Sequence, residues 1–104
     1  MAKDDYFRIV YIILKYLYEQ MKLGNVEKIL DDLLNDAGIP DIPDRYLNEI
    51  ISNLAENGYI MTKSVEVKYI CTKTVIIIGS LKIKPKGIEY LEENPMMKKV
   101  SKLA

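Results

Sequence analysis

The sequence predicts an α+β fold in which three helices lead into a β-hairpin and a further helix. Three observations carry that expectation: apolar residues recur at helical spacing through residues 4 to 57, strand-type alternation replaces that spacing from Val65 to Thr72 within a β-prone stretch that runs from Tyr59 to Lys84, and Gly or Pro stands at each changeover. A chain of 104 residues with 49% hydrophobic residues suits one modest core, so residues 1–104 are expected to form a single domain.

The best-marked stretch is Pro43 to Ile60. Ile42 precedes a proline and is pushed out of the α region, Pro43 tolerates the first helical position, and Asp44 faces the positive helix end. Leu47, Ile50, Ile51 and Leu54 make a core stripe, with Asp44, Arg45, Asn48, Glu49, Ser52, Asn53 and Glu56 opposite it. A helix over 43–57 is predicted, ended by Asn57-Gly58 and running straight into a strand.

Ahead of it, Asp4 and Asp5 open a helix to about Leu23. Phe7, Val10, Leu14, Leu17 and Met21 form one stripe and Tyr6, Ile9, Ile13 and Tyr16 the adjacent one. So wide an apolar face fits a helix covered on several sides, or one that also forms a dimer seam. Asn25 is placed as the cap of a second helix over 26–37, with Val26, Ile29, Leu30, Leu33, Leu34 and Ala37 inward and Gly38 closing it. Its carboxylates Glu27, Asp31, Asp32 and Asp36 read as a solvated face rather than a metal site. The stiff connector Ile39 to Ile42 then makes the second and third helices a helix-turn-helix.

Beyond Gly58, Val65, Val67, Tyr69 and Cys71 alternate with Glu66, Lys68, Ile70 and Thr72, which is strand periodicity. Thr72 to Thr74 is the expected turn, Val75 to Ile83 the returning strand, and Gly79-Ser80 a bulge within it. Pro85 starts a helix over 85–94 that Asn94-Pro95 stops. The tail 95–104 is amphipathic, with Met97, Val100 and Leu103 disposed to dock on the first helix or on a second copy of the chain, or to fray.

Chemistry is sparse. With no His and a single cysteine, Cys71, the chain lacks the commonest catalytic base and zinc ligand, any internal disulfide and any cofactor motif, so no enzyme and no cofactor are expected. No apolar run is long enough to span a bilayer and no cleavable leader is visible, so a cytoplasmic protein without a membrane partner is expected. The formal net charge is zero but unevenly spread. Residues 1–60 hold six Lys/Arg against eleven Asp/Glu, whereas residues 61–87 hold six Lys against Glu66 alone. The hairpin is therefore basic and the helices before it acidic.

Three helices, a hairpin entered through Asn57-Gly58-Tyr59-Ile60 and a return through Ile83-Lys84-Pro85-Lys86-Gly87-Ile88-Glu89-Tyr90-Leu91 together resemble a winged helix-turn-helix, a three-helix core plus a β-hairpin wing and a C-terminal helix. More narrowly, the chain resembles the YjcQ family from about Asp5 to Lys99. The resemblance is most specific in the Gly-Tyr-Ile turn and in Pro85 to Asn94. Its members are small bacterial or phage-associated proteins, and the resemblance implies a winged helix with a regulatory, DNA-binding role and no catalytic residues. One departure is Lys84, where such motifs often carry Thr: a helix cap is lost and a positive charge placed at the positive end of a helix.

On that reading the partner is double-stranded DNA. Arg45, Asn48, Ser52 and Asn53 are the candidate base-facing residues, and Lys63, Lys68, Lys73, Lys82 and Lys84 the candidate phosphate contacts. A homodimer through the first helix and the C-terminal segment is the expected assembly. The rivals are a protein-interaction module that uses the acidic, tyrosine-rich surface, and lysines that merely protect an exposed strand edge.

Overall fold

The computed structural model describes the backbone of residues 3–70 and 73–103, and within it the side chains of residues 5–63 and 79–102. Helix α1 (Lys3–Lys22) lies at the centre, with Ile9, Val10, Ile13, Leu14 and Leu17 buried. These five positions fall at helical spacing on the double stripe read from the sequence, and they pack against α3 (Asp44–Glu56), β3 (Lys73–Ile83), α4 (Pro85–Glu93) and α5 (Pro95–Leu103). The wide apolar face of α1 is thus covered from several directions within one chain.

The segment after α1 departs from the expected helix 26–37. Lys28–Ile29 form a short strand, β1, and helix α2 spans only Leu30–Asp36. Lys28 pairs with Leu81 and Ile29 with Ser80, antiparallel to β3. Pairing with a neighbouring strand outweighs local helical periodicity here, and Val26 and Ile29 are left 42% and 58% exposed instead of filling the core. Of the expected stripe, Leu33 is buried, Leu30 and Ala37 pack against the core, and Leu34 is exposed. Asn25 caps no helix: its side-chain amide donates to Gln20 Oε1 at 3.0 Å at the end of α1.

Helix α3 buries Leu47, Ile50, Ile51 and Leu54, as the stripe requires. Pro43 sits one position earlier than expected, as the capping residue, and its carbonyl accepts the Tyr46 and Leu47 amides. At the far end the Gly58 amide donates to Ala55 O and the Tyr59 amide to Leu54 O, the paired bonds of a Schellman stop, with Gly58 at φ +77°. This left-handed residue turns the chain directly into strand β2 (Ile60–Ile70).

The sheet has the order β1-β3-β2 and is antiparallel throughout. Ile60 pairs with Ile83 and Thr62 with Leu81; the three apolar members of this set are buried against the helices. By alternation Met61, Lys63 and Lys82 stand on the outer face. Lys63 pairs with Ser80 but Ser64 with Ile78, so Gly79 is the extra residue of a bulge, where the sequence places it. Each long strand has 11 residues, a reach of about 36 Å, against a longest molecular dimension of 46 Å. Such a hairpin is compatible with the wing of a winged helix. The expected inward direction of Cys71 and the Thr72 part of the turn fall outside the described residues, whereas Lys73 and Thr74, expected in that turn, already belong to β3, with Lys73 paired to Ile70.

Helix α4 starts at Pro85 with Lys84 as its capping residue and no side-chain cap, which is the weakness the Lys84 departure implied. The residues that stop α4 also start α5. Asn94 Oδ1 accepts the Met96 amide at 2.9 Å and the Met97 amide at 3.4 Å, with Pro95 in the first helical position. Helix α5 then buries Met97 and Val100 and packs on α1 and α4. The result is an α+β arrangement, compatible with a winged helix, and no described helix is long and apolar enough to cross a membrane.

Candidate nucleic-acid interface

Burial of Leu47, Ile50, Ile51 and Leu54 turns the opposite side of α3 outward. Arg45, Asn48, Glu49, Ser52 and Glu56 are all exposed there, one turn after another. Three of the four candidate base-facing residues, Arg45, Asn48 and Ser52, are therefore gathered on one open face. Asn53 stands apart from them. It is half-buried at the flank of the helix, and its amide donates to the Tyr6 hydroxyl at 3.2 Å, which ties α3 to α1. Asp44, Glu49 and Glu56 share the exposed side, so the face mixes donors with carboxylates.

A lock between two separated stretches holds the wing base. The Lys84 amide donates to Tyr59 O at 2.9 Å, and Gly87 in the first turn of α4 lies so close that a Cβ there would stand 2.2 Å from the same oxygen. Only glycine lets α4 approach the turn this closely. The Tyr59 and Tyr90 rings stack with centroids 4.5 Å apart, and Lys86 Nζ lies over the Tyr59 ring at 5.7 Å. Burial, then the neighbouring Tyr59 and Tyr6, push the Tyr90 hydroxyl above the ordinary tyrosine range. Gly58-Tyr59-Ile60 and Pro85 to Asn94 are thus one spatial unit. It also lines a shallow cleft of about 290 Å³ between Tyr59, Lys86, Glu89, Tyr90, Glu93 and Asn94.

Among the candidate phosphate contacts, Lys63 and Lys82 come together on the outer face of the wing base. Lys84 follows at the junction with α4, half-buried, while the side chains of Lys68 and Lys73 lie outside the described residues. Lys63 is not free: its Nζ meets Glu27 Oε1 at 2.8 Å. That hydrogen bond and charge, with a smaller contribution from Lys82, hold the Glu27 carboxyl below the usual carboxylate range. Glu27 is the residue that sequence reasoning missed as part of the site. It was placed on a solvated helix face, and only the β1–β3 register brings it beside the wing. Lys86 was also passed over, although it belongs to the same basic stretch. Among the described residues, no three His, Cys, Asp or Glu side chains gather as a metal would need.

The two groups differ in position: Arg45, Asn48 and Ser52 look out from the helical layer, and Lys63 with Lys82 from the sheet face turned away from it. Part of the apolar surface expected to form a dimer seam on α1 and α5 is used within the chain, while Ile12 stays half-buried. Ile9, Met97 and Val100 are buried within the chain, and Tyr6 and Tyr16 pack partly against the core.

Comparison with curated proteins and with solved structures finds no match. The family model described as YjcQ protein matches residues 11–104, a span that includes both halves of the Tyr59–Gly87 lock, and the chain belongs to the YjcQ family.

Proposed function

We propose that this YjcQ-family chain is a DNA-binding transcriptional regulator without catalytic activity. Helix α3 enters the major groove with Arg45, Asn48 and Ser52 toward base edges, and the lysine-bearing wing, through Lys63, Lys68, Lys73, Lys82 and Lys84, holds the phosphate backbone. The observation that carries this reading is the open stripe of Arg45, Asn48 and Ser52 on a helix that follows a stiff turn and leads directly into a basic hairpin. Each wing lysine that neutralises a phosphate releases counterion, so log affinity for duplex DNA should fall with log salt by about 0.9 per contact. A salt-titrated binding assay on random and promoter-derived duplexes tests it.

Asp44, Glu49 and Glu56 on the same helix weaken contact with a polyanion, so binding is modest or assisted by a second copy. They also favour a second reading, an interaction module whose acidic helical side meets a basic protein. Its supporting observation is a groove lined by Asp5, Arg8, Ile9, Pro40, Asp41 and Ile42 between α1 and the α2–α3 connector. Absence of duplex binding at low salt, together with capture of a basic peptide on that side, would favour this second reading.

A further inference from the structure

Each end of the Lys63–Glu27 pair has a neighbour that changes its meaning. Glu27 precedes β1, and carrying the pairing of Lys28 with Leu81 one residue back sets Glu27 beside Lys82. Lys82 pairs with Met61, so Lys63 and Lys82 stand diagonally on the same outer face of the sheet. The Lys63 ammonium thus stands 2.8 Å from the carboxylate, and the charge of Lys82, on the adjacent strand, also acts on Glu27. Both members of the close pair are open to solvent, Lys63 at 67% and Glu27 at 44% exposure of the side chain. The contact therefore forms and breaks at little cost and is easily screened by salt.

We propose that Lys63 and Lys82 are an anion-binding pair whose resting occupant is the chain's own Glu27 carboxylate, and that a phosphodiester must displace Glu27 to be held there. The proposal rests on the DNA-binding reading for the identity of the ligand, but the anion site itself does not. A carboxylate and a phosphate oxygen offer a lysine the same charge-assisted bond, so they compete for one place. Glu27 then acts as a built-in competitor. It lowers affinity for any duplex uniformly, because a backbone contact carries no sequence information. It also keeps a solvent-exposed lysine pair from holding other anions.

The test compares wild type, Glu27→Gln and the control Asp31→Asn, which removes an exposed carboxylate on α2, against a random 20-base-pair duplex between 50 and 300 mM NaCl. Glu27→Gln should bind about 3- to 10-fold more tightly at the lowest salt, with a slope steeper by about 0.9, while the control changes affinity less than about 2-fold. Adding Lys63→Ala to Glu27→Gln should remove most of the gain. A gain no larger than the control's, or one that survives Lys63→Ala, overturns the proposal. A second probe, inorganic pyrophosphate followed through the amide resonances of residues 61–63 and 80–82, separates the two readings. Pyrophosphate shifts stronger in Glu27→Gln than in wild type, without duplex binding by either protein, uphold the anion pair and remove the DNA reading. Equal pyrophosphate shifts in the two proteins overturn the anion pair whatever the duplex does.

Discussion

Gly87 is the residue on which the junction of wing and helices depends. A methyl group there would meet Tyr59 O at 2.2 Å and Ile83 Cγ1 at 3.1 Å, and the first of these is backbone that cannot turn aside. Gly87→Ala should therefore destabilise the protein by about 1–3 kcal/mol through overpacking, measured by urea denaturation. Gly58 is constrained differently, since the nearest side-chain atom to its own added Cβ is Lys86 Cδ at 3.7 Å and only its φ of +77° resists substitution. Gly58→Ala should cost about 1 kcal/mol, and a cost above that of Gly87→Ala would reverse the roles assigned to the two glycines. Tyr16 and Tyr90 set an alkaline limit, because burial first, opposed by Lys28 and helped by Asp36 and Asp32 for Tyr16 and helped by Tyr59 and Tyr6 for Tyr90, raises both hydroxyls above the ordinary value. Groups whose folded pKa is raised contribute stability that is complete below the unfolded value, about 10, and lost as pH rises through the folded one. Melting temperature should fall between pH 9 and 11 more steeply in wild type than in a Tyr16→Phe, Tyr90→Phe variant.

Among the elements, α5 shows how one dipeptide carries two signals. Asn94-Pro95 reads in the sequence as the end of α4, and the same residues cap and start α5, whose Met97 is fully buried. Met97→Ala should cost about 2–5 kcal/mol and Asn94→Ala about 1 kcal/mol, checked by denaturant midpoint. If α5 instead served chiefly as a surface for a second copy, Met97→Ala would leave the monomer's stability nearly unchanged. The α3 stripe, its Gly58 stop and the Gly79 bulge were legible because each depends on local backbone preference and spacing. β1 was not: Val26 and Ile29 stand three residues apart, which is helical spacing, and the partner that overrides it, Ser80-Leu81, lies far along the chain. The same distance hid the meeting of Glu27 with Lys63 and of Asn53 with Tyr6. Side-chain type marks a residue as polar, but only the fold says whether it is already engaged.

At the scale of the whole molecule, acidic helices carry a basic wing, and the zero formal net charge conceals this separation. Such a division is useful to a DNA-binding protein only if the wing, rather than the body, makes most of the phosphate contacts. Arg45→Ala should then change which duplex sequences are preferred while leaving the salt slope within about one contact of wild type, whereas lysine changes in the wing should do the reverse. The most direct measurement is the slope of log affinity against log salt for wild type and for a Lys82→Ala, Lys84→Ala variant on the same duplex. DNA held by the wing predicts a slope that flattens by up to about 1.8 when both lysines are lost. Failure of wild type to bind any duplex at low salt, or a slope that the two replacements leave untouched, would contradict it.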